Sequence, residues 1–137
     1  MEIVASQKQE VPRVTVLQLR GALDGSSYQH LITEAEQLYD AGVRNLILDM
    51  SELTFLSSAG LSALHRIARL FRGEDRSTFE EGWAAIHAMG KERDSGLQER
   101  VKLLNPDEKN QSVLDTVGFK AFFPIYTDLQ TALASFQ

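Results

Sequence analysis

Apolar positions along this chain fall into two repeating patterns. Short runs with a high share of Val, Ile and Leu alternate with stretches in which apolar residues recur every three or four positions. The run "RVTVLQLRG", residues 13–21, is rich in β-branched and apolar side chains and ends in glycine, as strands do. The preceding "EIVASQKQEV" is placed to pair with it across Pro12. After "GALDGSS", Leu31, Ile32, Ala35, Leu38 and Tyr39 lie on one helical face, with Ser26 or Ser27 as N-cap and Gly42 as the stop. "RNLILDM", residues 44–50, is a short continuous apolar run of the kind covered on both faces, which predicts a central strand.

From Ser58 onward Leu61, Leu64, His65, Ala68 and Phe71 return at helical spacing until Gly73, so a second helix follows this strand directly. "VKLLN", residues 101–105, reads as another strand. Pro106 then suits the first turn of a helix running to about Val117, ahead of Gly118. "AFFPIYT" is a strand-like run whose Pro124 predicts a sheet edge, and "DLQTALASF" is a last helix capped by Asp128. Strands alternating with helices define an α/β fold.

One segment departs from this alternation. Residues 75–98 are highly charged at both ends, with a capping box at Ser77 and Glu80 and an apolar stripe of Phe79, Trp83 and Ile86. They are expected to be an insertion carrying one short helix, dispensable because long surface loops carry a small thermodynamic penalty.

Composition narrows the function classes. With 137 residues, 43% apolar and 24% charged, the chain has the make-up of one folded domain, 1–137. Its formal charge of -5, with no Lys/Arg run, argues against nucleic acid or an anionic membrane and favours a protein partner. No cysteine is present, so disulfides and thiol chemistry are excluded. The opening residues carry no cationic segment leading into an apolar core, and no window approaches the roughly 18 apolar residues of a membrane span. A cytoplasmic protein with no direct membrane insertion is expected.

Candidate chemistry is sparse. His30, His65 and His87 are far apart and none has a second ligand at metal spacing, so neither a metal nor a cofactor is expected. His65, on an apolar helix face, is expected to be a partly buried packing residue. "SSAGLS" lacks the Gly-Lys-Ser/Thr ending of a phosphate loop, and Ser58 lacks the flanking glycines of a nucleophile elbow. Asp24, taken alone, caps the following helix or closes its turn.

The informative stretch is "LDMSELTFLSSAGLSAL", residues 48–64, which passes from strand to helix at Ser57-Ser58. A serine there accepts a free backbone N–H of the first turn, worth about 1 kcal/mol. Capping accounts for one serine, not for the pair. Nor does it account for Gly60, since glycine in a helix gives up about 1 kcal/mol relative to alanine. Small residues at 59 and 60 are expected to leave the hydroxyl approachable from outside.

This stretch resembles the signature of STAS domains, the family named for sulfate transporters and anti-sigma factor antagonists. In that signature a strand ending Asp-Leu-Ser leads through an aromatic position to Asp-Ser-Ser/Thr-Gly-Leu. Asp49, Ser51, Phe55, Ser58, Gly60 and Leu61 fall on the pattern. "GALD", residues 21–24, is similar to the family's Gly-x-Leu-Asp, and "LLNPDEKNQSVLDTVGFKAFFPIYTDLQTALASF" to its closing third.

The resemblance implies a single STAS-type domain, a mixed sheet of four to five strands flanked by about four helices. It also implies no enzymatic activity, and binding to an anti-sigma factor serine kinase. That kinase phosphorylates the serine at the position of Ser58 (with Ser57 the alternative), and a phosphatase reverses it. The implied partner surface is Asp24, Ser57, Ser58, Ala59, Gly60 and Leu61. Two positions depart from the signature: Ser57 stands where the family has aspartate, and Ala59 where it has Ser or Thr. Other branches use the module as a scaffold or transporter-associated subunit with no phospho-switch, and the partner is then another STAS protein or a transporter complex.

Overall fold

The structure is a computed structural model that describes residues 1–8, 13–73 and 99–136. Its strands are β1 (Glu2–Lys8), β2 (Val14–Leu23), β3 (Leu46–Leu56), β4 (Val101–Leu104) and β5 (Ile125–Tyr126). Its helices are α1 (Tyr28–Asp40), α2 (Ser58–Phe71), α3 (Glu108–Thr116) and α4 (Leu129–Ala134), with a 3-10 turn at Phe119–Ala121. The strands form one sheet in the order β1-β2-β3-β4-β5. β1 runs antiparallel to β2, and every other neighbouring pair is parallel. The fold is the expected α/β arrangement with a mixed sheet.

Side chains alternate between the two faces of each strand, and the two faces are covered unequally. Leu17, Leu19, Leu48, Met50 and Leu103 face the larger core, closed by Leu31 and Ile32 of α1, Leu64 and Ile67 of α2 and Leu114 of α3. Tyr39 of α1 meets Phe71 of α2 edge to face, with ring centroids 5.3 Å apart. On the opposite face Val14, Val16, Ile47 and Leu104 are covered by Ala132 and Leu133 of α4. Ile47 in one layer and Leu46 and Leu48 in the other explain why β3 reads as a continuous apolar run.

A buried charge fastens α4 to the sheet. Lys102 of β4 donates through Nζ to Ser135 O at 3.0 Å and Ser135 Oγ at 2.7 Å, and its ammonium lies 4.0 Å from the Phe136 ring centroid. Burial holds its pKa below the ordinary lysine value.

Several expectations are corrected. β3 continues to Leu56, well past the apolar run at 44–50, because its parallel pairing with β2 persists through two register shifts. Pro106 lies ahead of α3 and Asp107 caps it, accepting from Asn110 N at 2.8 Å. Only Ile125 and Tyr126 of "AFFPIYT" pair as a strand; Phe122 and Phe123 join Phe119 in the larger core. His65 is buried outright, at 1% exposure. Ser77, Phe79, Glu80, Trp83, Ile86 and His87, and the proposed insertion they belong to, lie outside the described residues.

Candidate functional site

β2 and β3 end side by side, with Leu23 in register with Leu56, so the two connections that follow share one edge of the sheet. In the first, Asp24 folds the chain into a turn. Its carbonyl accepts from Ser27 N at 3.1 Å and Tyr28 N at 2.8 Å, and its Oδ1 accepts from Ser26 Oγ at 2.6 Å and Ser26 N at 2.9 Å. Ser27 Oγ donates to Ala22 O at 2.7 Å and accepts from Asp24 N at 3.0 Å. Asp24 therefore closes the turn, while Ser27 holds the N-cap position of α1 without a side-chain capping bond. Its carboxyl is held below the ordinary carboxylate range by the donating hydroxyl and N–H of Ser26, so it is an anion at neutral pH.

In the second connection Ser57 is the N-cap. Its Oγ accepts from Gly60 N at 3.2 Å, and both its N–H (3.0 Å) and its Oγ (3.3 Å) donate to the carbonyl of Leu23. One backbone oxygen thereby ties the two loops together. The capping role falls to Ser57 and not to Ser58, which is the first residue of α2, is exposed, and makes no side-chain hydrogen bond with any described residue.

Gly60 has a packing reason different from the one read in the sequence. A Cβ there would lie 2.7 Å from Leu23 O, 2.9 Å from Leu23 Cγ and 2.8 Å from Leu56 Cδ1. Glycine is required because α2 starts pressed against the end of β2. Of the remaining candidates, Ala59 is half-buried and Leu61 lies in the core at 4% exposure. The accessible part of the predicted surface is thus Asp24, Ser57, Ser58 and Ala59, with Gly60 and Leu61 beneath it.

Phe55 was absent from the predicted partner surface, yet it is 46% exposed. A register shift skips Thr54, so that Phe55 pairs with Ala22 and turns outward between inward-facing Leu53 and Leu56. Its place in the signature was the available signal; exposure depends on the bulge, which sequence alone does not show.

Chemically the site offers a hydroxyl at a helix start that no described residue engages, a fixed anion on the adjoining loop and an exposed ring. A serine nucleophile needs an adjacent base accepting its proton, and Ser58 has no such bond to a described residue. Among the described residues no group of His, Asp and Glu is placed to hold a metal ion, and no helix is long and apolar enough to cross a membrane.

Fold and site together define a small α/β module that presents a serine where its third strand hands over to a helix. A family model for the STAS domain matches residues 5–79, more than half of the chain, and the chain belongs to that family. A search of curated proteins by sequence returned no match. Among solved structures, an anti-sigma factor antagonist from Mycobacterium paratuberculosis is similar at 19% identity and a TM-score of 0.63, over 98% of this chain and 93% of that one. The phosphorylated form of the Bacillus cell fate determinant SpoIIAA is similar at 15% identity and a TM-score of 0.57, over 98% and 100%. A putative anti-sigma factor antagonist from Thermotoga maritima reaches 0.64 at 16% identity, over 95% and 92%. At these identities the likeness concerns the fold.

Proposed function

We propose that this chain is a cytoplasmic, non-enzymatic regulatory protein of the anti-sigma factor antagonist kind. Its partner surface is the edge formed by Asp24, Ser57, Ser58 and Ala59, and phosphorylation of Ser58 by an anti-sigma factor serine kinase releases the partner until a phosphatase restores it. The observation that carries this reading is the division of labour between the two serines. Ser57 caps α2, while Ser58 is exposed and its hydroxyl makes no hydrogen bond with any described residue.

The energetics favour a switch that acts on binding and not on folding. A phosphoserine at a helix N-terminus gains about 0.3–1 kcal/mol from the terminal dipole, and the anionic Asp24 on the same edge opposes that gain. The fold is therefore expected to respond little. In an interface the same dianion meets desolvation and the partner's own charges, a penalty of about 2–5 kcal/mol.

In the same reading residues 75–98 are an insertion, and a short Gly-Ser linker in their place is expected to leave cooperative unfolding and the switch intact. The deciding experiment is mass spectrometry after incubation with the kinase captured from source lysate and ATP. Phosphate on Ser58 is the expected result. Phosphate on Ser57 would shift the register by one. Phosphate on neither, with Ser58→Asp binding as tightly as the unmodified chain, would favour a scaffold or transporter-associated subunit.

A further inference from the structure

We propose that β1 is a homodimerisation edge, on which a second copy of this chain pairs antiparallel about Ala5 to make one continuous sheet across two protomers. The proposal is independent of the Ser58 switch. The two edges of the sheet are built differently. β5 is two residues long and follows Pro124, which lacks an N–H, so that edge is blunted. β1 is seven residues long, contains no proline, and pairs with β2 along its whole length without a register shift. No described strand pairs with its outer side, whose backbone donors and acceptors are the kind of template that another strand completes.

The sequence of β1, "EIVASQK", says which strand fits. When two copies pair antiparallel about Ala5, Glu2 opposes Lys8 of the second copy, Ile3 opposes Gln7, Val4 opposes Ser6, and Ala5 meets itself. Unlike charges therefore oppose each other at both ends. In β1 the residues Glu2, Val4, Ser6 and Lys8 share the sheet face opposite α1 and α2, as their partners Arg20, Gln18, Val16 and Val14 show. A slip of one residue would oppose side chains from opposite faces, and a slip of two would lose both charge pairs.

The groups needed are available. Glu2 is bound to Arg20 NH1 at 3.1 Å through Oε1, but its side chain is 63% exposed and its other oxygen makes no hydrogen bond with a described residue. Lys8 makes no ion pair with a described residue. Val4, 40% exposed and one of the two large exposed apolar side chains among the described residues, would lie diagonally across from Val4 of the second copy, within reach of it. Ala5 at the two-fold axis leaves room for the backbones to approach.

The test is sedimentation or light scattering of the full chain from about 1 μM to about 1 mM, the range of a small interface. The expected result is a concentration-dependent particle of twice the 15.3 kDa chain mass. Glu2→Lys and Lys8→Glu each create two like-charge pairs in the dimer and are each expected to weaken it by about tenfold or more, while the double exchange restores it. Because the chain has no cysteine, oxidation of Ala5→Cys gives a clean second readout. It is expected to cross-link the two copies, whereas Gln7→Cys, with its sulfurs about 14 Å apart along the strands, is not. A monomer at every concentration, a dimer indifferent to both reversals, or equal cross-linking through residues 5 and 7 would each overturn the proposal.

Discussion

Two serine pairs stand side by side at one edge of this sheet, and they are used differently. Ser26-Ser27 follows β2 and Ser57-Ser58 follows β3, each leading into a helix. In the first pair both hydroxyls are engaged: Ser26 donates to Asp24, and Ser27 bridges Ala22 O and Asp24 N. In the second, Ser57 is engaged with Leu23 and Gly60, and Ser58 with nothing described. A hydroxyl left out of local hydrogen bonding is one the structure has not already consumed. The contrast singles out Ser58 more sharply than its sequence neighbours do, since all four residues are chemically equivalent.

The largest expected effect separates Gly60, in the first turn of α2, from Gly25, in the turn ahead of α1. Gly60→Ala would drive a Cβ against the carbonyl of Leu23 at 2.7 Å, whereas Gly25 has nothing within 4 Å of the same position. Overpacking of this kind costs about 1–3 kcal/mol, offset by the about 1 kcal/mol that alanine gains in a helix. Set against backbone at one point and two leucines at others, Gly60→Ala is expected to lose about 2 kcal/mol in urea unfolding, and Gly25→Ala to stay within about 0.5 kcal/mol. Equal effects at both sites would mean that α2 is not pressed onto the end of β2.

Next is the binding contrast. Ser58→Asp is expected to weaken the partner complex at least about tenfold, or about 1.4 kcal/mol, with the thermal midpoint unchanged. Ser26→Asp, on the neighbouring loop, is expected to weaken it less. Calorimetric titration of both variants against the captured partner reads the difference.

Stability then separates the serines themselves. Ser57→Ala removes the cap of α2 and is expected to lose about 1 kcal/mol, while Ser58→Ala should stay within about 0.5 kcal/mol. A reversal of that order in chemical denaturation would place the cap on Ser58.

The smallest effect concerns the charge on Asp24. Hydrogen bonds from Ser26 depress its folded pKa, so its contribution to stability is complete above the ordinary carboxylate range and is lost as pH falls through the folded value. Asp24→Asn keeps the acceptor oxygen and removes the charge. The two proteins are expected to differ slightly at neutral pH and to converge on acidification, read from unfolding midpoints across the pH range.

Much of this molecule is legible in one dimension because local rules decided it. A β-branched, apolar run closed by glycine marked β2, helical spacing marked α1 and α2, and Asp128 caps its helix, accepting from Thr131 N at 2.9 Å. The signature from Asp49 to Leu61 likewise carried the family. The segment "AFF" was misread because a short apolar run has no period of its own. It lies in a 3-10 turn and the core instead of a strand, since Phe119, Phe122 and Phe123 fill the space beside α3.

Sequence patterns carry the α/β class, the order of elements and the short stretch that holds the proposed switch serine. Which of two adjacent serines is structural was decided only in three dimensions. The capping geometry depends on where the Leu23 carbonyl arrives, and Leu23 is 34 residues away along the chain from Ser57. The same arrival makes glycine obligatory at position 60, and the bulge at Thr54 turns Phe55 outward. These are contacts between the ends of two strands that meet only when the sheet has formed, so no local pattern of either strand contains them.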